Sequence, residues 1–211
     1  MKKESKKKMF IVIAIFLILA GAMALFFNTP CSKARTEFYR TARILTVKTD
    51  LTEDAFRQED IAGLPVPVQK YFKHCGYIGE PRMQVMKAVF KDVKFKFGNG
   101  KPAVIIDYIQ YNKADEPARI AYIDSSMYGI PFEGLDLYTA GKGTMKGILA
   151  KTITLFHQTG EAMDKASLVT FLSECLIIPK AAIYNLGRNR LFTRNGYNLL
   201  LWKNSEWDFF F

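Results

Sequence analysis

The strongest constraint on this chain is an uninterrupted apolar run near its N-terminus. Residues 9–27 include nineteen positions without a charged side chain. A helix rises about 1.5 Å per residue, so about 20 residues cross a hydrocarbon layer roughly 30 Å thick. Inside lipid, a helix satisfies its own backbone polar groups. The sequence therefore predicts a transmembrane helix over residues 9–28.

The leader before this run predicts the orientation of the helix. Residues 1–8 contain five lysines and one acidic residue, Glu4. Lysine clusters beside a membrane helix tend to stay in the cytoplasm. We therefore expect a single-pass protein of the cell membrane, with its N-terminus cytoplasmic and its body extracytoplasmic. The alternative is a secretory signal cut after Ala22 or Ala24, which would release the body. The spanning length of the run favours the anchor.

The distribution of charge argues against a nucleic-acid partner. The chain carries a formal net charge of +10. The leader contributes +4 and residues 187–211 contribute +2, which leaves +4 over residues 31–186. That is an ordinary basic surface, not a nucleic-acid footprint. The expected partner is the membrane lipid bilayer.

The cysteines and histidines show no spacing that predicts a metal site or a cofactor. Cys31, Cys75 and Cys175 form no C-x-x-C pair, and His74 and His157 each stand alone. We therefore expect no metal and no cofactor. The cysteines are interpreted as small buried hydrophobes, with a Cys75–Cys175 disulfide as the alternative.

Hydrophobic periodicity predicts an α+β body. A helical connector is expected over residues 29–62, with a helix opening near Asp50, and the α+β body over residues 63–186. Alternation over residues 82–97 predicts a long half-buried strand, and Asn99-Gly100 predicts a hairpin turn. Helices are expected over residues 64–76 and from near Ala162 to near Pro179, with Asp164 as a candidate cap. Further strands are expected over residues 103–111, 118–126, 136–139 and 146–156. The fold class is thus an antiparallel sheet, curved around a helix or an apolar cavity, with flanking helices.

Three candidate site residues lie near the glycine-rich segment or on the last helix. Asp136 and Tyr138 share one face of a strand, where either could line a ligand site or Asp136 could bond the glycine turn. Glu174 lies in an apolar helical stripe, where a carboxylate is costly unless paired. Lys142 or Lys180 could be its partner. Glu174 is then either a buried acid in a cavity or a glutamate at the helix edge that reaches solvent.

A fourth candidate is Tyr71, which shares an apolar helix face with Val68 and Phe72. The Gly141-Lys142-Gly143-Thr144 segment resembles a phosphate loop only superficially. It lacks the full spacing and is expected to join two strands, so we reject a nucleotide site. We interpret the glycines as residues that form a tight turn or a bulge, or that let another part of the backbone approach closely.

Three motifs together resemble an uncharacterised bacterial membrane-attached family, a domain of unknown function. They are L-P-x-P-V-Q-K-Y-F at residues 64–72, G-x-D-x-Y-x-x-G-x-G-x-M at 134–145 and M-D-x-x-x-L-x-x-F-L-S-E at 163–174. The resemblance covers residues 64–182. It implies a membrane-attached or exported body with no established activity. The expected curved sheet is similar to those of periplasmic lipoprotein carriers, a likeness of fold alone.

The C-terminal segment departs from the pattern of that family. The resemblance implies further alternating strands at this point, whereas residues 187–211 show little alternation. We back-translated this segment into its possible codons and read them in a frame shifted by one base. The shifted frame permits a sequence with a strand, a glycine turn and a second strand. We therefore interpret residues 187–211 as an aberrant tail that arose by a frameshift.

Three functional hypotheses follow. The first is a non-enzymatic, membrane-anchored extracytoplasmic protein that binds an apolar or lipid-like ligand, which the 17 Phe and 10 Tyr residues favour. The second is a carboxylate-dependent, hydrolase-like enzyme, which requires Asp136 and Glu174 to lie within about 10 Å. The third is a structural partner of a membrane complex, which would present an exposed apolar patch.

Overall fold

A computed structural model of the chain describes residues 2–47, 54–96, 98, 100–114, 116–127 and 129–186. The helices are α1 (Lys2–Asn28), α2 (Lys33–Val47), α3 (Gln58–Ile61), α4 (Val66–His74), α5 (Glu161–Glu174) and α6 (Pro179–Leu186). The strands are β1 (Val85–Lys96), β2 (Ala103–Lys113), β3 (Ala118–Met127), β4 (Ile130–Thr139), β5 (Lys142–Leu149) and β6 (Ile153–Gln158). The predicted α+β class is confirmed. The helix predicted to open near Asp50, Asn99 of the predicted hairpin turn and the tail 187–211 lie outside the described residues.

Helix α1 joins the basic leader and the apolar run in one element. It is long and apolar enough to cross a membrane, and the most hydrophobic stretch of the helix is not buried by the rest of the protein. Phe10 and Leu25 keep 74% and 70% of their surface exposed. A core helix of a globular domain would bury such side chains.

The six strands form one open antiparallel sheet in the order β1-β2-β3-β4-β5-β6. Each strand pairs with its sequence neighbour, so the sheet is a simple meander. β1 carries a bulge between Phe90 and Val93, where Asp92 has a φ of 55°. A second irregularity lies in β5 between Gly147 and Ile148. β1 and β6 are the two edges.

Two strand predictions were wrong in detail. The single strand predicted over residues 146–156 is two strands, because Ala150 and Lys151 both take positive φ and turn the chain back. The strand predicted over residues 136–139 begins earlier, at Ile130, and pairs along its length with β3. The expected pattern missed this start because Pro131 and Gly134 interrupt the run of apolar residues.

Helices cover both faces of the sheet. α2 packs on one face, where Phe38 lies against Ile120, Tyr122 and Leu135. On the other face, α4, α5 and α6 form a second core around fully buried Phe72 and Phe171. The described helices leave part of this sheet face uncovered.

Local signals explain the ends of the helices. Pro65 precedes α4 and Pro67 lies in its first turn, where a missing N–H costs nothing. Gly76, with a φ of 71°, follows its end. α5 begins at Glu161, close to the predicted start near Ala162, but Asp164 lies inside its first turn and does not cap it.

The described cysteines form no disulfide. Cys31 and Cys75 are exposed and Cys175 is buried. The disulfide alternative was therefore wrong. The interpretation as buried hydrophobes holds for Cys175 and fails for the other two.

Candidate functional site

The sheet face that α5 packs on divides into two halves. Asn112 of β2 lies opposite Arg119 of β3, and Arg119 lies opposite Tyr138 of β4. These three residues form a row across the sheet beside α5. Two rows further along the strands, Ile123 pairs with Gly134. We call these the covered half and the open half. The covered half comprises Gln110, Asn112, Arg119, Asp136, Tyr138 and Gly143, and the open half comprises Ile106, Ile123, Phe132, Gly134, Gly147 and Phe156.

Arg119 is the centre of a buried polar network in the covered half. Its Nε donates to Glu174 Oε2 at 3.1 Å, and its Nη1 donates to Asp136 Oδ2. Asn112 Nδ2 and Gln110 Nε2 donate to the same Glu174 oxygen at 2.7 Å and 3.2 Å. Gln110 and Asn112 are almost completely buried. The network therefore joins α5 to three neighbouring strands.

The network holds one more negative charge than positive charge. Burial alone would lower the pKa of the Arg119 guanidinium, but the charges of Asp136 and Glu174 outweigh it and raise the pKa. Asp136 Oδ1 is buried and has no hydrogen-bond partner among the described residues. Such unpaired buried acceptors are rare in folded proteins. The described part of the chain contains no group of three or more His, Cys, Asp or Glu that could hold a metal ion.

The structure brings Asp136 and Glu174 together through Arg119. A single guanidinium bridges the two carboxylates, which keeps them within the roughly 10 Å that paired-carboxylate chemistry requires. However, the guanidinium fills the space between them, and both side chains are mostly buried. This arrangement is that of an ion-pair network that fastens a helix to a sheet.

The open half contains an apolar groove of about 220 Å³. Its lining comes from all six strands and comprises Phe95, Ile106, Ile123, Phe132, Gly134, Met145, Phe156 and Gln158. A Cβ atom on Gly147 would lie only 2.2 Å from the Phe156 ring. Glycine at this position therefore lets the ring lie against β5 and shape the groove.

The glycine-rich turn docks α5 onto the sheet. Asp164 accepts hydrogen bonds from the Gly143 N–H and from Lys142 Nζ, both at 2.8 Å. The Lys142 ammonium, followed by the Gly143 N–H, lowers the pKa of the Asp164 carboxyl. A Cβ atom on Gly143 would lie 2.3 Å from Ser167 Oγ and 2.6 Å from the Met163 carbonyl oxygen. Gly143 therefore allows α5 to approach the backbone of β5 closely, which is one of the roles predicted for these glycines.

The two candidate tyrosines occupy different places. Tyr138 is buried in the covered half, with its ring 6.0 Å from that of Phe171, and burial raises its pKa. Tyr71 lies on α4, where burial and its hydrogen bond with Tyr77 raise its pKa. The structure thus places Tyr138 on the same strand face as Asp136 and near Phe171 of α5, whereas Tyr71 belongs to neither the network nor the groove.

Sequence reasoning missed Arg119, Gln110 and Asn112. The expected partners of Glu174 were wrong, because Lys142 pairs with Asp164 and Lys180 Nζ donates to Gln84. One signal was present in the sequence. Gln110 and Asn112 lie two residues apart on a strand, so both point to the same face, where polar side chains need partners.

Comparisons with known proteins place the chain in a family. No curated protein and no solved structure matches it. A family of unknown function matches residues 54–187, a range that includes the polar network, the groove and the docking turn. The chain therefore belongs to the family of unknown function DUF6544.

Proposed function

We propose that this protein is a membrane-anchored extracytoplasmic protein that binds an apolar, lipid-like ligand in the groove of the open half. The observation that carries the proposal is the groove itself. One half of a sheet face is sealed by helices, whereas the adjoining half presents a hollow lined by six large apolar side chains.

The anchor is supported by α1. Its apolar residues are exposed over a length sufficient to span a bilayer. A helix with this surface is stable in lipid and costly to expose to water. The lysines that precede the apolar run favour a cytoplasmic N-terminus, which places the body on the opposite side.

The size and chemistry of the groove support a chain-like ligand. A volume of about 220 Å³ is below the roughly 300–1,000 Å³ that is typical of pockets for drug-sized ligands. The groove therefore fits a segment of an acyl chain better than a complete lipid. Each methylene that leaves water contributes about 0.8 kcal/mol, so six to eight methylenes supply roughly 5–6 kcal/mol before the costs of binding.

Lipid binding can be tested on the full chain in nanodiscs. We expect a fluorescent fatty-acid analogue to bind and Ile123→Ser to weaken that binding about tenfold, because serine removes apolar surface from the groove. Ile105→Ser is the matched control. Ile105 lies on the neighbouring strand β2, next to the groove residue Ile106, and its side chain therefore points to the opposite sheet face. Equal losses in the two variants, or no binding to the unaltered protein, would contradict the proposal.

A further inference from the structure

A second hollow lies where α1 meets the body. It has a volume of about 560 Å³. The lining residues that decide its chemistry are Phe26, Lys33, Glu37, Arg40 and Lys151. Phe26 is at the end of the apolar run. The hollow therefore adjoins the point at which α1 would leave the bilayer.

The hollow carries an excess of positive charge. Lys33, Glu37 and Arg40 are spaced at i, i+4 and i+7, so they share one face of α2. Glu37 already pairs with Lys146 at 2.9 Å. Lys33 and Arg40 are exposed, and neither forms an ion pair with any described residue. Their charges are therefore available to a ligand.

Lys151 adds a third charge and fixes the geometry of the hollow. It lies in the tight turn between β5 and β6, where it and Ala150 both adopt positive φ. Its Nζ donates to the Phe26 carbonyl oxygen at 2.5 Å and also to the Thr29 carbonyl oxygen. The final carbonyl groups of a helix lack partners within the helix, and a lysine can satisfy them. The turn thereby ties the body to the end of α1.

We propose that this hollow binds the phosphate of an anionic lipid headgroup. Phe26 lies at the end of the apolar run, and the cationic side chains lie beyond it. A lipid has the same order, with its acyl chain in the apolar layer and its charged headgroup outside it. Glu37 does not oppose the anion, because Lys146 neutralises it. This site is distinct from the groove and rests only on the anchoring part of the proposed function.

The test uses the full chain in phosphatidylcholine nanodiscs that contain spin-labelled phosphatidylglycerol or spin-labelled phosphatidylcholine. Electron paramagnetic resonance measures the fraction of each lipid that the protein immobilises. We expect the unaltered protein to immobilise phosphatidylglycerol in preference to phosphatidylcholine. Lys33→Gln and Arg40→Gln each remove one cation, and each should lower this preference about fivefold. The matched control is Lys94→Gln with Lys96→Gln, which removes the same charge from exposed positions on β1.

The outcomes separate this site from the groove and from soluble phosphate. Immobilised lipid with no preference, or an equal loss of preference in the control, overturns the headgroup site and leaves anchoring intact. The absence of any immobilised lipid overturns both anchoring and this site. Displacement of labelled phosphatidylglycerol by millimolar inorganic phosphate would assign the hollow to a soluble anion and overturn the lipid source. Circular dichroism checks that each variant is folded.

Discussion

The covered and open halves lie on the same face of the same strands but differ in what closes them. In the covered half, α5 supplies Glu174, and the sheet supplies Arg119, Gln110 and Asn112 as partners. In the open half, none of the described helices contributes to the groove, whose lining consists of strand residues. The covered half is held by a buried ion-pair network, whereas the open half is where we propose that a ligand binds. Substitutions should therefore affect the two halves differently.

The largest effect is expected from Arg119→Met. Removing the guanidinium leaves Asp136 and Glu174 buried without a counter-charge, which should lower the free energy of unfolding by about 3–5 kcal/mol. Denaturant unfolding of the full chain, followed by circular dichroism, measures the change. Arg57→Met is the control, because the Arg57 side chain is 71% exposed and its loss should cost less than about 0.5 kcal/mol. A cost below about 1 kcal/mol for Arg119→Met would show that the network does not stabilise the covered half.

The next effect is expected from Gly143→Ala. The added Cβ atom would overlap Ser167 Oγ and the Met163 carbonyl oxygen, so α5 must move away from the turn. We expect a loss of about 1–3 kcal/mol in the free energy of unfolding. Gly63→Ala is the matched control, since no atom lies within 4 Å of the added Cβ. Similar costs for the two variants would refute the close-approach role.

A smaller effect is expected from Phe156→Leu in the open half. The ring is only partly buried and leucine remains apolar, so the free energy of unfolding should fall by less than about 1 kcal/mol. Phe171→Leu in the covered half is the comparison, because that ring is fully buried. Thermal unfolding of both variants should show the larger loss for Phe171→Leu. A larger loss of stability in Phe156→Leu than in Phe171→Leu would contradict the distinction between the two halves.

The smallest effect concerns acid stability at the docking turn. Because its folded-state pKa is lowered, Asp164 stabilises the fold above its unfolded pKa, and this contribution is lost as pH falls below about 4. Asp164→Asn should therefore reduce the difference in urea midpoint between pH 7 and pH 3. Glu59→Gln, at an exposed position, is the control. An unchanged pH dependence in Asp164→Asn would indicate that the contact with Lys142 and Gly143 does not form in solution.

Local patterns predicted the elements of the fold well. The apolar run specified α1, alternation specified β1, and Pro65 with Gly76 marked the ends of α4. These features depend on residues that are close in sequence. The division of residues 146–156 into two strands was missed, because alanine and lysine do not signal a turn with positive φ.

The candidate site was only partly predictable. The shared face of Asp136 and Tyr138 followed from the two-residue period of a strand and is confirmed. The bridge from Asp136 to Glu174 was not predictable, because Arg119 lies 17 residues from one and 55 from the other. A lone arginine in a strand resembles a surface residue until the packing above it is known. The ligand-binding roles of Asp136, Tyr138, Glu174 and Tyr71 remain predictions.

The sequence by itself determined the membrane-length helix and the α+β order of elements, and it showed that Glu174 would need a partner if it were buried. Hydrophobicity, periodicity and the cost of a buried charge are local properties, which explains this success. Only the tertiary structure decided that Arg119 is that partner, that the missing side chain of Gly143 lets α5 approach the sheet, and that the described helices cover only half of one sheet face. Those outcomes depend on strand register and helix docking, which bring together residues that are distant along the chain.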